Sequence, residues 1–155
     1  MEAQLAYIDA CSRYVHGVDK RELDNFMDCW TEDAQWNLGE EFGNHRGHDA
    51  IEANWHVLNT AFHEMHHGTS NYQVIEFSDG RAVGRCDAFV PGTDAAGVAN
   101  MACASYVDTI VRGDDGVWRF EKRDITVHYL VPWTNPQGID PSTRTYAMAP
   151  QAAQP

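Results

Sequence analysis

Five consecutive residues, His63-Glu64-Met65-His66-His67, hold three of the eight histidines and a carboxylate in a 155-residue chain. Two chemistries use such a string. His63-Glu64-x-x-His67 spells the HExxH pattern of zinc proteases, which needs both histidines on one helix face. Gly68 follows at once, and no third-ligand pattern stands downstream, so the metal reading is set aside and no metal is expected. The other chemistry is acid–base: an imidazole at the end of a helix can serve as a general base near neutral pH if a carboxylate orients it. Asp19, just beyond the end of the first helix, is the best orienting carboxylate. Its competing reading is an N-cap for a second helix starting at Lys20. Arg123 and Tyr14 are the remaining candidates. Read from spacing alone, the first is an exposed strand charge and the second a core residue.

The elements that must carry these residues are set by hydrophobic period. Residues 3–17 read as a helix ended by Gly17, with Leu5, Ile8, Cys11 and Val15 at helical spacing. A short second helix carries Leu23, Phe26, Met27 and Trp30. Thr31-Glu32-Asp33 reads as a turn, residues 34–38 as a short strand, and the stretch from Gly39 to Gly47 as loop. A third helix opens at Asp49, with Glu52 completing a capping-box-like start, and runs toward Gly68. The period then changes to two, predicting strands at 72–77, 81–90, 98–111 and 117–131, the last with Arg123, Ile125 and Val127 on one face and Phe120 on the other. Helices followed by an antiparallel meander give an α+β class with helices on one face of a curved sheet. Residues 1–131 form one domain. Residues 132–155, which are proline-rich, form an extended or partly disordered arm.

Composition bounds the partners. Hydrophobic residues make up 43% and charged residues 22%, a globular balance, and 17 aromatics are available for a core or a pocket. A formal net charge of −12 argues against nucleic acid and anionic membrane surfaces. The N-terminal residues show no signal-peptide pattern and no segment reaches the length of a membrane span, so a cytoplasmic protein is expected. The four cysteines are widely scattered, as reduced and mostly buried thiols would be.

Segments around these residues resemble the SnoaL-like branch of the NTF2-like superfamily: Gly17-Val18-Asp19-Lys20-Arg21, Trp30 with Asp33-Ala34-Gln35-Trp36, His63-Glu64 with His67 and Asn71, and Gly116-Val117-Trp118 leading to Lys122-Arg123. Within that branch the likeness is greatest to the hexachlorocyclohexane dehydrochlorinases and bile-acid dehydratases, with scytalone dehydratases more distant. The resemblance covers residues 5 to about 131. It implies a cone-shaped fold and a catalytic dyad of His67 and Asp19, and it selects His67 over His66. It also implies an active-site role for Arg123 and a pocket lined by Trp36, Leu58, Phe62, Met65 and Val90. Tyr14 stands where the dehydrochlorinases carry a lysine and where the bile-acid dehydratases carry tyrosine. A phenol suits a departing hydroxyl as a hydrogen-bond donor, which favours dehydration over loss of chloride. The implied activity is a metal- and cofactor-independent lyase acting on a small apolar or polycyclic substrate, assembled as a homo-oligomer, a trimer by resemblance. Alternatives on the same scaffold are an isomerase or hydratase using the same dyad, and a non-catalytic ligand-binding or oxygenase-subunit-like module.

Overall fold

The computed structural model describes residues 2–133; the expected C-terminal arm lies outside the described residues except for its first two positions. Helix α1 (Glu2–Asp19) is followed by the short α2 (Leu23–Met27), β1 (Trp30–Asn37), β2 (Asn44–Arg46) and α3 (His48–Ala61). Five strands follow among the described residues: β3 (Phe62–Met65), β4 (Gly68–Ser78), β5 (Arg81–Asp94), β6 (Ala99–Arg112) and β7 (Trp118–Pro132).

The strands form one mixed sheet in the order β2-β1-β7-β6-β5-β3, with β4 also pairing β5. All pairings are antiparallel except β1 with β7. The sheet curls into a half-barrel with the helices on its concave side. On β5 and β6 the alternation is regular, so the even-numbered residues Ala82, Cys86, Ala88, Ala104, Tyr106, Asp108 and Ile110 face the interior and are buried.

Strand β7 breaks the alternation twice. Thr109 pairs Lys122 while Ile110 pairs Phe120, and Cys103 pairs Tyr129 while Ala104 pairs Val127. Glu121 and His128 are therefore extra residues, and each bulge reverses the facing of the residues beyond it. Phe120 and Arg123, expected on opposite faces, are both fully buried on the same one.

Other limits shift for identifiable reasons. Helix α1 runs past Gly17, which is glycine because a Cβ there would lie 2.6 Å from the Cα of Phe26; α2 packs that closely. The turn expected at residues 31–33 belongs to β1, and the loop from Gly39 to Gly47 contains β2. Gly47, not Asp49, occupies the N-cap of α3 and no side chain caps it, so the capping box is absent. Helix α3 ends at Ala61 rather than near Gly68, because residues 62–65 gain a better partner: they pair with Gly92–Asp94 at the edge of the sheet. The string His63-Glu64-x-x-His67 is thus not helical, and the two-histidine helix face that HExxH chemistry requires does not exist.

Candidate active site

Asp19 is the last residue of α1 and His67 immediately precedes β4. The two are 48 positions apart in sequence and in direct contact. The Asp19 Oδ1 lies 2.6 Å from the His67 Nδ1, and the Asp19 Oδ2 accepts the His67 backbone N–H at 2.7 Å. Both side chains are nearly buried, 6% and 9% exposed. The cap reading of Asp19 fails: α2 begins at Leu23 with Glu22 at its N-cap. Arg21, held at φ 58°, reinforces the junction by donating from its Nη2 to the backbone oxygens of Phe62 and His63.

A carboxylate can only accept, so in the neutral imidazole this contact places the proton on Nδ1 and leaves the lone pair on Nε2. His67 lines a cavity of about 110 Å³, whose wall also includes Tyr14 and a majority of aliphatic and aromatic side chains. That volume is comparable to the roughly 150 Å³ apolar cavity that takes up benzene in another protein. Tyr14 presents its ring edge-on to His67, with centroids 6.3 Å apart. It is 2% exposed and lines the cavity. Burial pushes the Tyr14 phenol above its ordinary pKa, opposed by the nearby Arg123 guanidinium. The group is therefore a hydrogen-bond donor at neutral pH.

Four of the five expected lining residues, Leu58, Phe62, Met65 and Val90, are in the wall. Trp36 is not. It is fully buried behind Tyr14, with ring centroids 6.1 Å apart, and packs against Phe26 and Trp30. Arg123 also lies behind the wall. Its reading as an exposed strand charge is wrong, because the Glu121 bulge turns it inward. Its guanidinium donates twice to Asp108, at 2.8 Å each, and sits 4.2 Å from the Tyr14 ring centroid and 4.1 Å from that of Phe120. Burial opposes its charge, and Asp108 more than compensates, holding it firmly cationic. The Tyr7 hydroxyl donates to Asp108 at 2.7 Å and closes the network.

Asp108 and the cavity residue Asn100 escaped the sequence reading. The signal for Asp108 was available: a carboxylate in register with Ala104, Tyr106 and Ile110 on a buried face needs a buried cation. Among the described residues, the ligating side chains close enough to share an ion are Cys11, Cys86 and Asp108, with Asp108 already held by Arg123, and not the histidine string. All four cysteines are unpaired. No helix among the described residues is long and apolar enough to cross a membrane.

Comparisons with known proteins agree with this architecture. The chain is 28% identical over 133 residues to the gamma-hexachlorocyclohexane dehydrochlorinase of Sphingobium indicum, covering 85% of each protein. The crystal structure of the type 2 hexachlorocyclohexane dehydrochlorinase LinA superposes with a TM-score of 0.81 at 26% identity, covering 90% of this chain and 95% of that one. The type 3 LinA of Novosphingobium barchaimii LL02 gives a TM-score of 0.79 at 25% identity, covering 90% and 96%. The SnoaL-like domain model matches residues 1–124, and the chain belongs to the SnoaL-like family of NTF2-like folds.

Proposed function

We propose that this protein is a lyase that eliminates a small leaving group from an apolar ring, with His67 as general base. The observation that carries the reading is the 2.6 Å contact between Asp19 and His67 Nδ1, made at the wall of an apolar cavity. In the proposed step the His67 Nε2 takes a proton from a ring carbon. The C–H electron pair becomes the new π bond, and the leaving group departs from the adjacent carbon with its bonding pair. Asp19 fixes the tautomer and stabilises the imidazolium that forms, as a buried aspartate does in other histidine sites. The Tyr14 hydroxyl donates a hydrogen bond to the departing atom. Arg123 acts from behind, its positive charge against the Tyr14 ring making the phenol a stronger donor. The similarity to dehydrochlorinases supports elimination. The phenol of Tyr14 favours a hydroxyl as leaving group.

The test is incubation with hydroxylated and chlorinated cyclic compounds, reading loss of water or of hydrogen chloride by mass spectrometry. His67→Ala is expected to lower turnover at least about a hundredfold, since positioned bases contribute that much or more. Turnover retained in that variant would overturn the proposal. A product of unchanged mass would replace elimination by isomerisation on the same dyad, and binding of the compounds without turnover would favour a ligand-binding module.

A further inference from the structure

The cavity wall carries a third polar group besides His67 and Tyr14. Asn100 begins the inward face of β6 and is 9% exposed, with its side chain lining the cavity. Its Nδ2 donates to the Val98 backbone oxygen at 2.8 Å and to Asp94 Oδ2 at 3.1 Å. Both partners are acceptors, so the nitrogen must face them and the amide cannot flip. The other Asp94 oxygen, Oδ1, accepts the backbone N–H groups of Ala96 and Val98 at 2.9 Å each, which holds that carboxyl below its ordinary pKa and keeps it an acceptor. The Asn100 Oδ1 is left pointing away from this network, and no described residue donates to it.

The sheet register places this oxygen relative to the dyad. His67 precedes Gly68, which pairs Phe89, so it stands opposite Val90. Val90 pairs Ala102, two residues from Asn100. Two strand spacings across and two residues along separate the Cα atoms of His67 and Asn100 by about 12 Å. Two side chains reaching inward from that separation leave room for a single six-membered ring between them.

We propose that Asn100 is the specificity-determining acceptor of this site, and that the substrate is a monocyclic compound bearing a hydrogen-bond donor, a hydroxyl or N–H, on the side of the ring away from the carbon that faces His67. The inference rests on the cavity being the substrate site of the proposed lyase. A ring lacking the donor would leave a largely buried carbonyl without a partner, which is the costlier half of a hydrogen bond to lose.

The experiment is NMR titration of the full chain with 4-ethylphenol and with its methyl ether, 4-ethylanisole, which keeps the ring and loses the donor. The wild-type protein is expected to bind the phenol on the order of tenfold tighter, by one hydrogen bond to a group otherwise unpaired. In Asn100→Ala the preference should collapse to within about twofold, and in Tyr14→Phe it should persist. The ether serves as reference, because any loosening of the Asp94 hairpin weakens both ligands alike. Should the alanine variant not fold, Asn100→Leu fills the space and is read the same way. An unchanged preference in the Asn100 variants, a preference lost in Tyr14→Phe instead, or entry of neither compound into the cavity would each overturn the proposal. Binding is read without turnover, so failure here leaves the His67→Ala result standing, and failure of that result leaves this one.

Discussion

Asp19→Asn isolates the dyad with the smallest change of shape. Asp19 serves His67 twice, accepting from the ring at Oδ1 and from the backbone at Oδ2. Asparagine can accept only once, because one of the two positions becomes an NH2. If the amide oxygen keeps the backbone N–H, the NH2 donates to Nδ1, moves the ring proton to Nε2 and removes the lone pair the proposed base needs. If the oxygen keeps the ring, the NH2 opposes the backbone N–H, and two donors meet in a site where the Asp19 side chain is 6% exposed. The loss of one charge-assisted hydrogen bond costs about 1.5–3 kcal/mol of stability, which leaves a domain of ordinary stability folded. Turnover should fall far more, by about ten-thousand-fold if the case follows the Ser-His-Asp example with the same substitution. Two measurements read the result. Turnover is followed with whichever ring compound the wild type transforms. The tautomer of neutral His67 is read from its ring nitrogen shifts at alkaline pH, which needs no substrate. The expected outcome is Nδ1–H in wild type and Nε2–H, or a mixture, in Asp19→Asn. The same tautomer in both proteins together with undiminished turnover would refute the reasoning and reduce Asp19 to a structural tether.

Asp108→Ala strands a fully buried guanidinium and should cost about 3–5 kcal/mol, read by urea denaturation; a loss under about 1 kcal/mol would show that the aromatic rings alone sustain the charge. Burial holds the phenols of Tyr7, Tyr14 and Tyr106 protonated above their usual value of 10.0. Their contribution is complete below that pH and is lost as pH rises past it, since only the unfolded chain then releases those protons. The melting temperature should therefore fall as pH rises above about 10, less steeply in Tyr14→Phe, and a flat profile there would contradict the assignment. The convex face bears Phe89 and Val107, 45% and 46% exposed, and we propose that it joins copies of the chain; light scattering should give a multiple of 17.4 kDa, and a monomer mass would refute this.

Much of this architecture is legible in the amino-acid sequence. The long strands β5 and β6 are legible because their alternation is unbroken, and α1 is legible as a helix, although its buried face runs through Tyr7, Ala10, Cys11, Tyr14 and Val18 and the expected stripe begins at Leu5, which is 62% exposed. The His67–Asp19 pair comes through family likeness, since nothing local in either segment announces a contact across 48 positions. The hidden features have physical causes. The Glu121 bulge is set by pairing between strands, so simple period two assigns Arg123 the wrong partners. Residues 62–65 carry a pattern acceptable to helix or strand, and only the free edge at Gly92–Asp94 decides between them. Trp36 is expected in the pocket by family likeness, but it is fully buried against Tyr14, Phe26 and Trp30 and does not line the cavity. Asn100 gives no signal, because a lone asparagine at a strand start reads as turn chemistry.

The two bulges in β7 have a consequence for how this chain can change. Between Glu121 and His128 the strand is a cassette whose phase is set by counting residues: Arg123, Ile125 and Val127 face inward, while Lys122 and Asp124 pair with each other outside at 2.6 Å. Deleting Glu121 would merely restore a regular ladder, with Lys122 still opposite Thr109 and Arg123 still opposite Asp108, whereas deleting a residue inside the cassette such as Thr126 would turn Val127 outward and bring His128 inside. Deleting both extra residues would leave an unbulged strand with every other facing kept. The locus is therefore tolerant of substitution at its outward positions and of loss of a bulge residue, and intolerant of a change in length between the bulges. In a lineage of such chains, variation in what this wall recognises would accumulate by replacement along β7, and changes in length would be confined to the two bulges and the loops at its ends.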